Sequence, residues 1–369
     1  MKIILLHDYF SQIGGAEKVL FSFLDLFPNS RVYSLFYNKK SFPNLSIKSS
    51  FIQFLPFKKK YKIYTPLFPL ALKFFRFENE CMILSSSHAW IKNIKKPKTS
   101  LHICYCHTPM RYAWGLKKEY LEKENILTKP LVSLFLTYLR YWDKKNSKNV
   151  DFFIANSKNV ANRIKKYYNR ESIVIYPPIN TNLLRLNTKK RKDFYLVVSR
   201  LIEYKKTDLA IEAFKKLNKK LIIAGTGRDE KRLKKLAKGC DNIIFLGRIP
   251  EDKLKDLYQN AKAFINPQIE DFGITSLESQ SCGTPVIAYA KGGALETVIQ
   301  GKTGHFFHKQ TPESLINAIK EFESMKFNPK ECRKNALKFD QKIFKKSIKD
   351  YIDKKYKEFQ NAQNLSHHI

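Results

Sequence analysis

The chain alternates short apolar runs with amphipathic segments along most of its length. Residues 2–6 (KIILL) form an apolar run with the length of a buried strand, and residues 16–27 (AEKVLFSFLDLF) carry apolar positions at helical spacing. This alternation continues through both halves of the chain and is typical of crossover units and parallel sheets. We therefore predict an α/β fold.

The predicted strands fall into two series, separated by a proline pair. Helices at 206–218, 229–239, 250–261 and 274–283 join the strands of the second series. The segment 176–193 contains the proline pair and then a basic polar run, which favours an interdomain linker. The predicted strands are 2–6, 81–86, 100–107, 151–157 and 172–178, followed by 194–200, 220–225, 242–247, 263–267 and 285–289.

This organisation predicts two Rossmann-like, doubly wound domains, residues 1–180 and 181–343. Two such sheets facing one another would leave a central cleft between the carboxyl ends of their strands, where parallel sheets bind ligands. The tail, residues 344–369, places aromatic and aliphatic residues at helical spacing among lysines. We expect it to form one further helix.

Composition adds a folded core and a large positive charge. Hydrophobic residues make up 43% of the 369, and 68 Lys+Arg against 33 Asp+Glu give a formal charge of +35. The excess could attract nucleic acid, an anionic membrane or a phosphorylated substrate, or it could reflect lysines on solvated faces. The start has four consecutive apolar residues, too few for a secretory signal, and no run approaches the ~20 residues of a membrane span. Six irregularly spaced cysteines do not resemble a disulfide framework, Cys104 and Cys106 are expected to be buried thiols and not metal ligands, and the predicted location is cytoplasmic.

The segment QIEDFGITSLESQSCGTPVIA, residues 268–288, carries the most specific candidate site. Gly273 allows a tight bend before a helix that begins near Ile274, where unpaired amides could hold a phosphate. Glu278 lies about one turn inside that helix and could accept two vicinal hydroxyls, while Glu270 would reach another part of the ligand. A purely structural interpretation also stands, in which Glu270 caps the helix and Glu278 is solvated.

Further candidates lie where other predicted strands end. Gly14 and Gly15 occupy a strand-to-helix turn, where glycines let the backbone approach a diphosphate or simply form a tight turn. Arg200 and Lys205 follow the first strand of the second series, and two cations converging there would neutralise a departing diphosphate. His107 ends a predicted buried strand and is either structural or directed into the same cleft.

Several alternative chemistries lack their sequence signals. Residues 221–233 approach a dinucleotide fingerprint, but Glu230 stands where the third glycine belongs, so Gly225 and Gly227 could simply shape a turn. The chain has no Asp-x-Asp pair in a suitable loop, no His/Cys ligand cluster and no G-x-S-x-G motif. A mechanism without metal fits this pattern.

Taken in order, these pieces resemble the retaining glycosyltransferases of family 4, which have the GT-B fold. The resemblance rests on Gly14-Gly15, on Arg200 with Lys205, and on the E-x7-E pair Glu270/Glu278 followed by CGTPVIAYAKGGALETV. The segments HTPMRYAW (107–114) and EDFGI (270–274) look most like mannosyltransferases of that family that build lipopolysaccharide O-antigen or related glycans.

The resemblance implies a role for each candidate and a set of partners. Glu278 would hold the ribose of a nucleotide-sugar donor, Glu270 would bind hydroxyls of the transferred sugar, and His107 would lie near the anomeric carbon. The amides around Phe272, Gly273 and Ile274 would face sugar and phosphate. The donor is expected to be GDP-mannose and the acceptor a lipid-linked glycan, with no further cofactor and no metal. Arg200 and Lys205 would bind the donor diphosphate, and Gly14 and Gly15 would let the N-terminal domain close against it. The N-terminal domain would bind the acceptor, and the tail helix would cross back onto that domain.

The basic charge then acquires a candidate role at a membrane. Residues 54–77 (FLPFKKKYKIYTPLFPLALKFFRF) and 92–98 (KNIKKPK) mix lysines with apolar residues and could hold the enzyme on the anionic inner face of the cytoplasmic membrane. A buried helical hairpin with outward-facing lysines is the alternative. Two other functions stay open: a GT-B sugar-nucleotide epimerase, and a basic nucleic-acid-binding protein, although no recognised nucleic-acid-binding module is present.

Overall fold

A computed structural model provides the structure of the chain and describes residues 2–11, 13–56, 58–115, 117–122 and 124–366. Phe57 of the predicted patch 54–77 and residues 367–369 of the predicted tail lie outside the described residues. The chain divides into two compact units, Met1–Tyr176 with Phe344–Ile369, and Pro177–Ile343.

The first unit is built on a parallel sheet that is seven-stranded over the described residues, with strand order β3-β2-β1-β4-β5-β6-β7. The order reverses between β1 and β4, which are paired in parallel from Lys2 opposite Cys81 to His7 opposite Ser86. The strands are β1 (Lys2–His7), β2 (Arg31–Ser34), β3 (Ile47–Ser49), β4 (Cys81–Ser87), β5 (Leu101–Cys106), β6 (Phe152–Ala155) and β7 (Ser172–Val174). The α-helices are α1 (Gly15–Leu26), α2 (Phe68–Lys73), α3 (Lys117–Leu121), α4 (Lys129–Asn146) and α5 (Lys158–Tyr168).

Alternation along β1 explains why this sheet is covered on both faces. Ile4 and Leu6 join a buried cluster that includes α2 and α4 residues, whereas Leu5 joins a second cluster with α1. Successive side chains of a strand point to opposite faces, so a continuous apolar run buries both. Each side therefore needs its own layer of helices.

The second unit has a parallel sheet with strand order β10-β9-β8-β11-β12-β13, six strands over the described residues. Here the order reverses between β8 and β11. The strands are β8 (Tyr195–Val198), β9 (Leu221–Ala224), β10 (Ile243–Gly247), β11 (Ala263–Asn266), β12 (Val286–Tyr289) and β13 (Gly304–Phe307). The helices are α6 (Thr207–Leu217), α7 (Glu230–Leu236), α8 (Glu251–Asn260), α9 (Ile274–Ser281), α10 (Ala294–Thr297), α11 (Pro312–Ser324) and α12 (Pro329–Leu337).

The last helix, α13 (Gln341–Ser366), packs on the first unit. Phe344, Ile348 and Ile352 are buried in the cluster beneath α1, at the i, i+4, i+8 spacing of one helix face. The ring of Phe344 lies 5.9 Å from that of Phe23 and 5.8 Å from that of Tyr105. The aromatic positions of the tail thus serve as core residues.

The stretch 176–193, interpreted from sequence as a linker, belongs to the second unit from Pro177 onwards. Ile179 and Leu184 are buried there, and the Ile179 amide donates to the Phe339 carbonyl at 3.0 Å. The Asn187 amide donates to the Cys282 carbonyl at 3.1 Å. Ile179 and Leu184, after the proline pair, are buried, and Leu184 joins a core cluster of the second unit with Tyr258 and Cys282.

Candidate functional site

The reversal of strand order in the second unit brings two loops side by side, one after β8 and one after β11. In open α/β sheets, ligands bind beyond the carboxyl ends of the strands at such a reversal. Lys205 lies on the first loop, in a 3-10 turn (Glu203–Lys205), and Glu270 lies on the second. Residues 65 positions apart in sequence are thereby placed at one edge of the sheet.

Lys205 and Glu270 form an ion pair at this edge. The Lys205 Nζ donates to Glu270 Oε1 at 2.8 Å, and the two side chains are 14% and 12% exposed. The buried Gln268 also donates from Nε2 to the same carboxylate oxygen. Because both charged groups retain some solvent access, the lysine can bind a ligand anion and the carboxylate can accept ligand hydroxyls.

The loop that carries Glu270 is held by a glycine of the neighbouring strand's loop. The Gly293 amide donates to the Glu270 carbonyl at 2.9 Å. A Cβ at Gly293 would lie 2.3 Å from Phe272 Cα and 2.4 Å from its carbonyl oxygen, which no side chain could tolerate. Phe272 itself is buried, with its ring 5.5 Å from that of Phe339. Backbone contact on one side and ring packing on the other therefore fix this loop.

Gly273 begins helix α9 in the left-handed region, with φ of 101°. Glycine adopts this backbone conformation without the penalty of a Cβ, so the chain can turn directly from the loop into the helix. Ile274 is the first helical residue, as the sequence predicts. The amides at the start of α9 thus lie just after Glu270 in sequence, on the loop that follows β11.

Glu278 is buried, so its interpretation as a solvated residue is wrong. Only 7% of it is exposed, and its Oε2 accepts a hydrogen bond from the Tyr258 hydroxyl at 3.0 Å. Burial and the neighbouring carboxylate hold the pKa of Tyr258 well above its usual range, so the phenol keeps its proton and donates. The carboxylate is consequently fixed in one orientation.

Arg200 and the glycines after β9 complete the description of this unit. Arg200 is exposed and donates from Nη2 to the Tyr204 hydroxyl at 3.4 Å. A Cβ at Gly227 would lie 2.1 Å from the Leu201 carbonyl oxygen, and one at Gly225 would lie 1.9 Å from that of Ser199. These glycines let the loop after β9 lie against the loop that carries Arg200, which supports their interpretation as turn-shaping residues.

In the first unit, a buried carboxylate joins the loops at the corresponding reversal. Asp8 follows β1 and accepts the amides of His88, Ala89, Trp90 and Ile91, after β4, at 2.5 to 2.9 Å. Burial would raise the pKa of Asp8, but the His88 imidazole and these amides hold the pKa well below its usual range. Asp8 is therefore a buried anion, and the sequence analysis missed it.

His107 lies at the end of β5, next to this junction. Its Nε2 is 2.8 Å from Ser86 Oγ, and Ser86 Oγ is 3.2 Å from His7 Nδ1. The Ser86 carbonyl lies 3.1 Å from the same nitrogen and can only accept, so His7 Nδ1 carries a proton. Because His7 Nδ1 donates to Ser86 Oγ, the serine hydroxyl can donate to His107 Nε2, which is therefore an acceptor. On the other side of the His7 ring, Nε2 lies 3.6 Å from Glu17 Oε1.

Burial keeps His107 neutral. It is 9% exposed, and burial followed by the charges of His7 and His88 lowers the pKa of His107 to about 3. A neutral imidazole with Nε2 occupied by Ser86 carries its proton on Nδ1. At neutral pH His107 is thus suited to donate a hydrogen bond and is not a cation.

Gly14 and Gly15 lie where the sequence places them, at the start of α1. Gly14 is the N-cap residue and Gly15 the first helical residue. The Gly14 amide donates to Glu17 Oε2 at 2.9 Å, and a Cβ at Gly14 would lie 3.1 Å from that oxygen. The same carboxylate therefore caps the helix and adjoins His7.

The two units thus account for the predicted candidates in separate groups. Lys205 contacts Glu270, with Gln268 as an additional partner; Glu278 contacts Tyr258; Arg200 contacts Tyr204. Among the residues that the structure describes, no three His, Cys, Asp or Glu side chains are grouped as metal ligands. The residues that sequence analysis did not single out are Asp8, His7, Glu17, Ser86, His88, Tyr258 and Gln268.

The predicted basic patches are only partly at the surface. Lys92, predicted as part of the patch 92–98, is instead fully buried, and its Nζ donates to Asp143 Oδ1 at 2.7 Å. In the patch 54–77, Phe54, Ile63 and Phe74 are exposed. No helix among the described residues combines the length and the apolar character needed to cross a membrane. The cysteines are free, and Cys104 and Cys106 are buried as predicted.

Comparison with known sequences finds similarity to glycosyltransferases, and the family model matches within the second unit. Residues 178–339 match the family model of Glycosyl transferases group 1. The chain is similar to an uncharacterized glycosyltransferase of Methanocaldococcus jannaschii (28% identity, covering 55% of this chain and 58% of that protein). It is also similar to alpha-1,3/1,6-mannosyltransferase ALG2 of Dictyostelium discoideum (31%, 57% and 56%) and to GDP-mannose-dependent alpha-(1-6)-phosphatidylinositol monomannoside mannosyltransferase of Mycolicibacterium smegmatis (33%, 33% and 36%). The chain thus spans little more than half of the first of these relatives, and less of the last.

Solved structures match over nearly the whole chain. The Anabaena protein Alr3699/HepE in complex with UDP has a TM-score of 0.71 at 16% identity, covering 96% of this chain and 100% of that one. Sucrose-phosphate synthase of Thermosynechococcus elongatus has a TM-score of 0.74 at 17% identity, covering 96% and 99%. At these identities the likeness concerns the fold. The predicted GT-B fold, with its two Rossmann-like domains, is confirmed.

Proposed function

We propose that this protein is a retaining glycosyltransferase of the family 4 type, which moves a hexose from a nucleotide-sugar to a glycan or lipid-linked acceptor. The observation that carries the proposal is the Lys205–Glu270 pair, 2.8 Å apart at the strand-order reversal of the unit that matches group 1 glycosyltransferases. A cation and a carboxylate held side by side suit a ligand that has a diphosphate next to a polyhydroxylated ring.

In this proposal the donor replaces the internal ion pair. The diphosphate binds Lys205 and Arg200, which is on an exposed loop, and the sugar hydroxyls donate hydrogen bonds to Glu270. Glu278, oriented by Tyr258, accepts the two ribose hydroxyls, and the amides of Phe272, Gly273 and Ile274 face sugar and phosphate. Negative charge accumulates on the diphosphate as it leaves, so its neutralisation favours the transition state over the bound donor.

Three residues of the first unit have proposed roles towards the donor, and the unit itself is proposed to bind the acceptor. Gly14 and Gly15 let the backbone approach the donor diphosphate, and His107 donates a hydrogen bond near the anomeric carbon. The acceptor attacks the face from which the diphosphate departs, and the diphosphate accepts the acceptor's proton. This reaction needs no protein nucleophile, and we propose that it proceeds without a metal ion.

We propose mannose from GDP-mannose as the transferred sugar. Support comes from relatives whose names state mannosyl transfer, one of them GDP-mannose-dependent, at 31% and 33% identity. We further propose that the acceptor is a lipid-linked glycan of cell-surface polysaccharide or lipopolysaccharide synthesis. The protein would then work at the inner face of the cytoplasmic membrane, where its charge of +35 favours anionic lipid.

The test begins with thermal shift against GDP, UDP, ADP and their sugars, followed by transfer assays on membranes that contain lipid-linked acceptors. Lys205→Ala and Glu270→Ala should each lower kcat/KM by at least about 100-fold, the usual effect of removing one charge-stabilising group. Lys216→Ala is the matched control, because Lys216 forms an exposed ion pair with Glu313 in the same unit. It should transfer sugar like the parent protein.

Three outcomes would contradict the proposal. Full activity in the Lys205 or Glu270 variant would remove that residue's role, and stabilisation by UDP-sugars alone would refute the GDP-mannose assignment. An altered sugar epimer formed from the donor without acceptor would instead favour a sugar-nucleotide epimerase.

A further inference from the structure

Helix α4 of the first unit carries an apolar face that the fold leaves in solvent. Leu131, Leu134, Tyr138 and Tyr141 are 71%, 69%, 50% and 64% exposed. Their spacing of three, four and three residues places them along one side of the helix. Four large apolar side chains in a row on a solvent face are unusual in a protein whose other apolar residues are mostly buried.

The opposite side of α4 is anchored, so this face cannot turn inward. Leu136 and Leu139 are buried in the core beneath the helix. Asp143, also fully buried, accepts hydrogen bonds from Lys92 Nζ at 2.7 Å and from the Tyr168 hydroxyl at 2.7 Å. The buried leucines and the hydrogen bonds of Asp143 therefore fix the rotation of α4 about its axis.

The exposed side chains change character in a definite order along the helix. Ile126 and Leu127, just before α4, are 82% and 84% exposed and lead into the two leucines. The two tyrosines follow in the middle of the helix. The exposed Lys144, Lys145 and Lys148 come last. The order is aliphatic, then tyrosine, then lysine, along the about 27 Å of α4 and the residues that flank it.

These three types of exposed side chain are the ones that an anionic lipid surface binds. Aliphatic side chains enter the acyl boundary, tyrosines concentrate at the headgroup level, and lysines pair with anionic headgroups. Glu124 and Lys129, which are exposed beside the aliphatic end, limit the insertion to a shallow depth. A second copy of this chain is a poorer occupant, because two molecules of formal charge +35 repel each other.

A second exposed apolar surface lies on the same side of the sheet. The Trp90 ring packs 5.2 Å from that of Phe68, at the start of α2, and 5.8 Å from that of Trp142 on α4. Leu70 and Phe74, in and just after α2, are 46% and 62% exposed. The helices α2 and α4 thus cover one core and both present apolar side chains to solvent.

We infer that the α4 face, defined as Ile126, Leu127, Leu131, Leu134, Tyr138, Tyr141 and the terminal lysines Lys144, Lys145 and Lys148, docks this protein on an anionic lipid bilayer. The inference rests on the membrane association in the proposed function and assigns it to a surface outside the patches 54–77 and 92–98. It does not depend on the donor or on sugar transfer.

Vesicle sedimentation tests the inference with the full chain. Phosphatidylcholine vesicles containing one third phosphatidylglycerol should bind the protein, and pure phosphatidylcholine vesicles should bind it weakly. L131Q/L134Q should lower the partition coefficient by about tenfold or more. K144Q/K145Q/K148Q should lower it on the order of 100-fold and remove most of its salt dependence.

The matched control is L337Q/I343Q, which replaces two exposed apolar residues of the second unit, 42% and 50% exposed. This variant should bind vesicles like the parent protein. An unchanged urea midpoint and an unchanged far-ultraviolet circular dichroism spectrum would establish that the α4 variants are folded. Parent-like binding by L131Q/L134Q would overturn the inference while leaving the proposed sugar transfer intact. A concentration-dependent dimer lost in that variant, without vesicle binding by the parent, would assign the face to a second copy.

Discussion

Replacing Asp8 by asparagine should lower the free energy of unfolding of the first unit by far more than the small change in side-chain size suggests. Asp8 Oδ1 accepts the amides of Trp90 and Ile91, and Oδ2 accepts those of His88 and Ala89. Asparagine keeps one acceptor oxygen and replaces the other by an NH2 group. Two buried amides then face a donor in place of an acceptor.

The expected cost follows from those two amides. A buried donor left without an acceptor costs about 1–3 kcal/mol, so Asp8→Asn should lower the free energy of unfolding by about 2–6 kcal/mol. The carboxylate's pKa is depressed in the folded state, so its contribution is complete above the unfolded pKa of about 4 and is lost as pH falls towards the folded value. The gap between parent and variant should therefore narrow below about pH 4.

Tryptophan fluorescence during urea unfolding measures this effect selectively. The chain has 3 tryptophans, Trp90, Trp114 and Trp142, and all lie in the first unit. Asp25→Asn is the matched control, because Asp25 forms an exposed ion pair with Lys345 in the same unit. Its loss should change stability by less than about 1 kcal/mol. An Asp8→Asn midpoint equal to that of Asp25→Asn would refute the role assigned to the four amides.

Two further predictions concern the second unit's loop and the buried histidines. Gly293→Ala places a Cβ 2.3 Å from Phe272 Cα and should lower the free energy of unfolding by about 1–3 kcal/mol or more and weaken donor binding, as measured by circular dichroism in urea and by GDP-mannose thermal shift. Gly115→Ala, where the nearest atom to the new Cβ is 4.0 Å away, should leave both unchanged. Equal behaviour of the two variants would contradict the packing argument. Burial lowers the pKa of both His102 and His107 to about 3, so below the ordinary value near 6.5 only the unfolded state gains their protons. The free energy of unfolding should therefore fall less steeply between about pH 6.5 and 5 in His107→Gln, by about 1.4 kcal/mol per pH unit, as followed by tryptophan fluorescence. An unchanged dependence of stability on pH would show that His107 titrates normally.

Much of the fold could be predicted because its signals are local. The runs that became β1, β5 and β9 are apolar on both faces, which is what a parallel sheet under two helical layers requires. The short strands β2, β3 and β13 escaped prediction, since three or four residues with mixed polarity carry little periodicity.

The candidate site was predictable in part for the same reason. Gly273 followed by Ile274 indicates the start of a helix within one short segment. Lys205 and Glu270 each follow a strand that the sequence pattern predicts. That Lys205 contacts Glu270 depends on β8 and β11 being neighbours, which only the strand order reveals. The rule that drew attention to Arg200, a charged residue at the end of a strand, would have singled out Asp8 as well.

Residues whose role depends on distant partners could not be found in the sequence. Asp8 meets amides 80 to 83 positions away, and Ser86 meets His107 across 21. Lys92 looked like part of a basic surface because its neighbours are lysines, yet Asp143, 51 positions on, makes its burial possible. Burial of a charge is decided by its partner, and the partner's distance in sequence is unconstrained.

Each unit places a carboxylate on a loop beside its strand-order reversal, and the difference between those carboxylates bears on function. Asp8 is fully buried and is bound by backbone amides, which cannot leave without disrupting the loop. Glu270 keeps some exposure and is bound by the side chain of Lys205, which can rotate away when a ligand supplies both an anion and hydroxyls. Exchange of that kind costs little, because the ligand restores each charge's partner. Asp8 therefore stabilises the first unit, whereas the Lys205–Glu270 pair has the properties of a site that a nucleotide-sugar can occupy.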